Sequence, residues 1–400
     1  MGVRSRVLLG ACAAVLLAGC AGGGADSGET ASPPLPSYSG TADGVIDHVI
    51  GATDLVDLAP HGIVQSIAVD ATGAPVVFAE GASAVDSSVL ARVAADGSRT
   101  GVPVQADEYA DDVEVAPDGS LVATSHGQED DVVTVARAAG SVSGTQTAID
   151  VDGQFGLGSE RPTALSPDGA TIYLPVSVRY TDVTSLLAVD VATGTVKARA
   201  TLQPGDNPFG GIRVTTDGSV LAGVNVALGQ DRYTAVLERF DANLRPLGVV
   251  PLVPDQGDSH VGDLVVGPDG TSWVTVLDDT AAPARFELQT IPPGAAAPTI
   301  VAGWDAKDWD VPLSGSRGLV VDAATGTAYV LNPPGTDDLD ASVVPVTLAT
   351  GAIATTIAVD KDVIEVSMAL SPDGRELYLA DTHTGAAAKA PGDPILWTLG

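Results

Sequence analysis

A set of charged residues recurs along the chain, each a few residues ahead of an apolar segment that ends in a glycine turn. Carboxylates, guanidinium groups and an imidazole brought together could bind a polar ligand or a cation. The members of this set are Asp111, Asp112, Arg161, His260, Asp263, Arg317 and Glu365. The favoured interpretation is structural, in which Arg161 and Arg317 neutralise neighbouring carboxylates, because ion pairs of this kind are common in folded proteins.

Two tryptophans and three acidic runs offer further binding chemistry. Trp304 and Trp309 stand in one predicted loop, where exposed indoles could stack on a sugar or anchor a partner protein. The alternative is that this loop folds its own indoles onto the protein. The acidic runs at 107–112, 129–131 and 337–340 could bind calcium, but none has the spaced ligands of a calcium loop. A solvated acidic surface is therefore the favoured interpretation of these runs.

Sequence motifs of catalysis are missing from the chain. The five histidines are scattered, and no H-E-x-x-H, G-x-S-x-G, S-x-x-K or phosphate-loop pattern occurs. We therefore predict no catalytic residue, no cofactor and no metal site, while an enzyme that uses the charged set remains the alternative.

The composition excludes several classes of protein. Of the 400 residues 45% are apolar, and 46 glycines and 27 prolines indicate many turns, which argues against disorder, a coiled coil or a polytopic membrane protein. The formal net charge is −32, from 19 basic and 51 acidic residues. A chain this acidic repels phosphate backbones, so we predict no nucleic-acid partner.

The first twenty residues resemble a bacterial lipoprotein signal. Arg4 and Arg6 precede an apolar stretch that is too short to span a bilayer, and the stretch ends in Leu-Ala-Gly-Cys20. We expect residues 1–19 to be a signal peptide and Cys20 to carry acyl chains such as palmitate, with an ordinary secretory signal as the alternative. Residues 20–42, rich in glycine, serine and proline, then form a flexible tether. The predicted location is extracytoplasmic, anchored to the cell membrane.

A phrase of about seven residues recurs through the remaining chain, from residue 43 to residue 400. In each copy an apolar strand runs into a tight turn that ends in glycine, and the turn glycines are 46 to 56 residues apart. The copies are Ile67–Gly73, Val113–Gly119, Thr163–Gly169, Ile212–Gly218, Leu264–Gly270, Leu319–Gly326 and Met368–Gly374. Pro-Asp-Gly suits a hairpin turn, because proline presets φ, aspartate bonds its own backbone and glycine adopts a positive φ.

Several copies are followed by a second hairpin, such as Leu186–Val196. Four strands in about 50 residues are typical of a β-propeller blade, and seven copies predict seven blades. A β-solenoid or a row of sandwiches is less favoured, since solenoid repeats are shorter. The last copy lacks a fourth strand, so we predict that Val45–Ile50 closes the ring by pairing with Ile395–Leu399.

The phrases Ser-Pro-Asp-Gly-(x)3-Tyr and Asp-x-Ala-Thr-Gly-x-Val resemble the YVTN-type, WD40-like propeller repeats of bacterial surface proteins. They also resemble the lactonase-like seven-bladed propellers. The resemblance covers residues 45–400 and implies an all-β, seven-bladed architecture. It transfers no catalytic residue to this chain, because propellers host unrelated activities.

One face of the predicted propeller carries the long connections, and loops carry function more often than scaffolds do. The expected long loops are Gly81–Ser87, Thr147–Glu160, Gln203–Gly210, Pro254–Gly262, Gly303–Ser316 and Asp381–Asp393. We expect this face to act as a binding or scaffolding module for an envelope protein, a glycan or a small polar ligand. The alternative is a lactonase-like or other hydrolase at the mouth of the channel.

Overall fold

Each copy of the repeated phrase forms a β-hairpin with the turn predicted for it. In the third copy, the backbone N–H of Gly169 donates to the Ser166 carbonyl at 2.8 Å, and Asp168 Oδ1 accepts the N–H of Ala170 at 3.0 Å. The seven turn glycines have φ between +68° and +87°. This left-handed region disfavours residues with a Cβ, so the predicted need for glycine at these turns is confirmed.

The computed structural model describes residues 45–55, 57–58, 62–80, 88–103, 108–127, 132–138, 145–150, 162–177, 184–203, 210–229, 232–254, 257–281, 284–305, 318–332, 341–360, 363–384 and 391–400. The expected signal peptide and the whole of the expected tether therefore lie outside this description, as do Cys20, Arg161, Trp309 and Arg317. Within the described part, every regular element is a β-strand.

Short turns join the two strands of each repeated hairpin, because Val, Ile, Leu and Ala dominate each apolar segment and glycine ends it. In chain order they are β1 Val49–Asp54, β2 Ile63–Val69, β3 Pro75–Glu80, β4 Val89–Val93, β5 Arg99–Pro103, β6 Glu108–Val115, β7 Leu121–Gly127, β8 Val132–Ala138, β9 Thr145–Asp150, β10 Ala164–Leu165, β11 Thr171–Ser177, β12 Thr184–Asp190, β13 Val196–Thr201, β14 Ile212–Val214, β15 Val220–Gly229, β16 Arg232–Phe240, β17 Pro246–Pro251, β18 Ser259–Val266, β19 Ser272–Asp278, β20 Arg285–Ile291, β21 Thr299–Asp305, β22 Leu319–Asp322, β23 Thr327–Asn332, β24 Ala341–Thr347, β25 Ala352–Ile353, β26 Ile357–Asp360, β27 Val363–Leu370, β28 Leu377–Thr384 and β29 Pro391–Leu399.

In the described part of the chain these strands form seven antiparallel sheets. Sheets 1 to 5 are the consecutive groups β2–β5, β6–β9, β10–β13, β14–β17 and β18–β21. Sheet 6 comprises β22–β26, in which β25 and β26 both pair with β24. Sheet 7 has the order β1-β29-β28-β27, so it takes its outer strand from the opposite end of the chain.

The N-terminal strand joins the C-terminal strand as predicted, but its position along the chain differs. Strand β1 begins at Val49, opposite Leu399, and ends at Asp54, opposite Ile395. The expected strand Val45–Ile50 is therefore shifted by four residues. Asp47 and His48 still bond the backbone of Gly400, whereas Ile46 is buried between sheets 6 and 7, and its N–H donates to the Tyr329 hydroxyl at 3.0 Å.

The core lies between sheets rather than at one centre. Among the described residues it divides into seven apolar clusters, and each cluster joins one sheet to the next, with sheet 7 joined to sheet 1. The first strands of neighbouring sheets also contact one another, including β2 with β27. This arrangement is an all-β propeller, in which the first strands surround a central channel.

Tyrosines of the repeat hydrogen-bond to the backbone of a neighbouring sheet. The Tyr173 hydroxyl donates to the Ala242 carbonyl of sheet 4 at 3.1 Å, and the Tyr378 hydroxyl contacts the Gly73 carbonyl of sheet 1 at 3.2 Å. Burial raises the pKa of both phenols. The tyrosine of the Ser-Pro-Asp-Gly-(x)3-Tyr phrase therefore has a structural function between blades. No helix in the described part of the chain is long and apolar enough to cross a membrane.

Candidate ligand site in the central channel

A cavity of about 340 Å³ opens in the central channel. Its wall comes from the first strands of sheets 1, 2, 4, 5, 6 and 7. Most of this wall is apolar, with two exceptions, Glu114 on β6 and Arg213 on β14. The lining residues are Ala68, Val69, Glu114, Val115, Arg213, Val265, Leu319, Val320, Val321, Met368, Ala369 and Leu370.

Glu114 and Arg213 are equivalent residues of different repeats. Each is the second residue of the repeated phrase, one after Val113 and one after Ile212. The other copies place a small or apolar residue at this second position, namely Ala68, Ala164, Val265, Val320 and Ala369. The two charges are therefore exceptions within an otherwise apolar ring of equivalent positions.

Asp263 holds the guanidinium of Arg213 in place. Arg213 Nη2 donates to Asp263 Oδ1 at 3.4 Å, and Nη1 donates to the carbonyl of Ile212 at 2.8 Å. Asp263 is itself fixed, because Oδ1 accepts the N–H of Leu264 at 2.7 Å and Oδ2 accepts the N–H of Leu319 at 3.0 Å. Its carboxylate thus connects sheets 4, 5 and 6, and the Arg213 side chain keeps 19% of its surface exposed.

Asp112 makes the equivalent connection between sheets 1, 2 and 3. Asp112 Oδ1 accepts the Ser66 hydroxyl at 2.6 Å and its neighbour's N–H, that of Val113, at 2.9 Å. Asp112 Oδ2 accepts the N–H and the hydroxyl of Thr163 at 2.9 and 3.0 Å. Both predicted site residues, Asp112 and Asp263, are therefore buried carboxylates that latch three sheets together around the channel.

His260 lies in β18 rather than in the loop expected over Pro254–Gly262, because that strand begins at Ser259. Its Nε2 is 3.8 Å from Asp279 Oδ2, and its ring centroid is 5.5 Å from that of Tyr233. Burial raises the pKa of Asp279; His260 opposes this shift, while the carboxylate of Asp258 adds to it. His260 and Asp263 thus contact different partners, Asp279 and Arg213 respectively.

The remaining predicted residues in the described part lie in strands of sheets 2, 5 and 7. Trp304 lies in β21 and packs on Phe286, with ring centroids 4.8 Å apart, and its Nε1 is buried with no hydrogen-bond partner among the described atoms. Asp111 is buried in β6, and Glu365 lies in β27 opposite Thr382. The expected loops Gly303–Ser316 and Asp381–Asp393 are shorter than predicted, since strand structure extends to Asp305 and to Thr384 and resumes at Pro391.

A second cavity, of about 870 Å³, lies between sheets 7 and 1 where the ring closes. Its charged groups are already engaged or exposed: Glu376 accepts a hydrogen bond from the Tyr378 hydroxyl, and Arg375 is largely in solvent. The central cavity is the better candidate site, because the first strands of six sheets meet in its wall and that wall is mostly apolar. No group of three histidine, cysteine or acidic residues within the described ranges could hold a metal ion.

The sequence interpretation missed Glu114 and Arg213, although a signal for them was present. Aligning the seven copies isolates them as the charged residues at the second position of the phrase. The residues predicted for the site, such as Asp111, instead lie just before the repeated phrase.

The comparisons with known proteins bear on the fold alone. No protein-family model and no curated protein matches the chain. Solved structures, in contrast, do match it. Oligogalacturonate lyase of Vibrio parahaemolyticus is 9% identical with a TM-score of 0.57, and the match covers 91% of this chain and 97% of that one. Hydrazine synthase of Kuenenia stuttgartiensis is 15% identical with a TM-score of 0.55, over 79% of this chain and 92% of that one.

A prolyl endopeptidase is 14% identical with a TM-score of 0.52; the match covers 82% of this chain but only 46% of that one. At these identities the likeness supports a propeller arrangement and transfers no activity.

Proposed function

We propose that this protein is a lipid-anchored, extracytoplasmic binding module, and that its central cavity takes a small ligand. The observation that carries this proposal is the cavity of about 340 Å³, with an apolar wall and two charged side chains. Small-molecule sites typically combine an apolar lining with a few placed polar groups. The finer architecture that we propose is seven-bladed and YVTN-like, with each of the seven sheets as one blade.

The anchoring part of the proposal rests on the lipobox at Cys20. Two acyl chains hold a protein stably at a bilayer, and a diacylated cysteine supplies them. Cys20→Ser should release the protein from the membrane fraction or block its processing. Equal retention of that variant in cell fractionation would contradict the anchor.

The binding part can be tested with a variant that fills the cavity. Ala369→Leu adds volume to the cavity wall, whereas Ala354→Leu adds the same volume at an exposed position of sheet 6 and serves as the control. A small-molecule extract of the cell envelope should raise the melting temperature of the parent and of Ala354→Leu, but not that of Ala369→Leu. An extract that stabilises none of the three proteins, or all three alike, would contradict a ligand in the channel.

A hydrolase remains the second candidate, since one observation favours it. His260 and Asp279 are 3.8 Å apart, and both side chains are partly exposed. An imidazole beside a carboxylate can act as a general base. Hydrolysis of lactone or ester substrates that is lost in His260→Gln, with the melting temperature unchanged, would support this second function over binding alone.

A further inference from the structure

Large aliphatic side chains that remain exposed are confined to one part of the ring. In the described part of the chain they are Ile50, Leu247, Val249, Ile300 and Ile353, between 45% and 61% exposed, and we call them the apolar arc. They lie on the outermost strands of consecutive sheets: β17 of sheet 4, β21 of sheet 5, β25 of sheet 6 and β1 of sheet 7. Single exposed aliphatic residues are ordinary, but a contiguous group of them marks an interaction surface.

The arc follows a change at one position of the outermost strands. The second residue of that strand is aliphatic in sheets 4 to 7, namely Leu247, Ile300, Ile353 and Ile50. The second residue is polar in sheets 1 to 3, namely Thr100 in β5, Gln146 in β9 and Lys197 in β13. The polar and aliphatic residues thus divide the ring into two continuous parts.

The arc lies at the face of the ring that carries the hairpin turns. The sheets share one strand order, so their outermost strands run in the same direction and start at the same face. Ile50 accordingly lines the second cavity together with the turn residues Gly73 and Ala94. Points along one edge of a ring lie close to one plane. A flat surface can therefore contact all four sheets at once, whereas a rounded partner reaches only adjacent ones.

The segments that carry the arc in sheets 4 to 6 lack acidic residues, although the chain has 51 of them. Residues 242–254 contain one charged residue, Arg245, and residues 291–304 and 341–359 contain none. The carboxylates of Asp269 and Asp373 lie in turns between first and second strands, which are nearer the channel. A ring tilted toward sheets 4 to 7 therefore presents an apolar edge while these acidic turns stay further back.

The predicted anchor joins the ring within this arc. Strand β1, which carries Ile50, is the first described strand after the tether expected over residues 20–42. Residues 21–44 separate Cys20 from the described ring, and a coil of that length spans about 27 Å on average. A lipid on Cys20 therefore holds sheet 7 near the bilayer, and this raises the effective concentration of the arc at the lipid surface.

We propose that the apolar arc rests on the extracytoplasmic surface of the membrane to which Cys20 attaches the protein. This inference rests on the lipid anchor of the proposed function and adds an orientation to it. The aliphatic side chains enter the interfacial region of the bilayer, to a depth of about 5–10 Å. The turn face then points toward the lipid, and the connections between second and third strands point away from it.

Fluorescence quenching by lipid tests this orientation. Cys20 is the only cysteine after residue 19, so an introduced cysteine is the single free thiol of the lipidated protein. The test variants are Leu247→Cys and Ile353→Cys, and the controls are Lys197→Cys and Thr100→Cys, at the second residue of their strands. Each full-length, lipidated variant carries an environment-sensitive dye and is reconstituted into phosphatidylcholine vesicles that contain a nitroxide-labelled lipid. Emission should fall about twofold or more for the test variants, whose dyes enter the interface, and stay unchanged for the controls.

A second pair of variants tests whether the aliphatic side chains cause the contact. In the protein labelled at residue 353, Leu247→Gln should weaken the quenching, because burial of one leucine changes a partition equilibrium about tenfold. Lys197→Gln places the same residue at the equivalent position of sheet 3 and should leave the quenching as it is. Melting temperatures identify the variants that fold, and either test position suffices if the other does not. Equal quenching in both glutamine variants would contradict the proposal.

Two further outcomes overturn the proposal. Emission that ignores the nitroxide lipid but falls when copies carrying an acceptor dye are added would make the arc an interface between copies of this chain. Emission that responds to neither would place the arc away from both lipid and a second copy. Cell fractionation separates these failures from failure of the anchor. Protein that is retained with the membrane but not quenched refutes only the orientation, whereas a parent protein found outside the membrane fraction refutes the anchor as well.

Discussion

Asp112 and Asp263 occupy the same position of two repeats, and each carboxylate binds backbone N–H groups of its own strand and of the next sheet. Asp112 connects to Thr163 of sheet 3, as Asp263 connects to Leu319 of sheet 6. The propeller has no disulfide available in its described part, so contacts between sheets have to come from packing and from latches such as these. Asp112 and Asp263, which the sequence analysis named as candidate ligand-binding residues, thus also link neighbouring sheets of the ring.

Asp112→Asn should destabilise the protein. One oxygen of the carboxylate becomes an amide NH2 group, which leaves either the Ser66 hydroxyl or the Thr163 N–H without its acceptor in a buried site. The free energy of unfolding should fall by about 1–3 kcal/mol, measured by urea denaturation. The control is Asp373→Asn, at an exposed turn where Oδ1 alone makes the recorded hydrogen bonds, so asparagine preserves them. Equal midpoints for the two variants would argue against the latch.

Gly351→Ala should cost more than Gly218→Ala. Both glycines have a positive φ, of +67° and +85°, so alanine is strained at either position by about 1 kcal/mol. A Cβ at Gly218 meets no atom within 4 Å, whereas a Cβ at Gly351 would overlap the carbonyl oxygen of Val301. Thermal unfolding should therefore rank the parent above Gly218→Ala and Gly218→Ala above Gly351→Ala. The reverse order of the two variants would contradict the packing of sheet 6 against sheet 5.

Removal of the closing strand should destabilise the whole ring. Deletion of residues 49–54 exposes the backbone of β29 and removes Val49 from the apolar cluster between sheets 6 and 7. Deletion of residues 22–38 serves as the control, because we expect that segment only to tether. The first deletion should lower the melting temperature by several degrees, and the second should leave it unchanged. Closure by β1 would be refuted if both proteins melted like the parent.

Acid should weaken the hairpin turns. The Ser120 hydroxyl and N–H, together with Arg137, lower the pKa of Asp118 to about 2, and Lys197 and Thr193 lower the pKa of Asp190 to about 2. A carboxyl whose folded pKa lies below its usual 3.8 stabilises the protein above that value, and this contribution is lost as the pH falls toward 2. The melting temperature should therefore drop between pH 5 and pH 2. Asp118→Asn should show a shallower drop, whereas parallel profiles for the two proteins would count against this assignment.

Local sequence determined the hairpins. A turn such as Ser166–Gly169 needs only proline, aspartate and glycine in order, because its hydrogen bonds run between neighbours in the chain. The number of repeats and the missing last strand then predicted that both ends of the chain meet in one sheet. The exact register of this pairing was not predictable. The backbone N–H of Ile46 donates to the Tyr329 hydroxyl in sheet 6, which is a contact between distant parts of the sequence.

The site was decided by tertiary structure. The sequence prediction placed the site residues by their spacing from the turn glycine, which assumes a regular strand. The first strands of sheets 1, 2, 5 and 7 are irregular near their starts, as between Ala110 and Asp112. A bulge changes the direction in which the following side chains point, so the count no longer selects the channel. An alignment of the seven copies could show that Arg213 and Glu114 are the charged residues at their position of the phrase. Only the closed ring brings two strands so far apart in sequence to the wall of one cavity, because that proximity depends on every sheet packed between them.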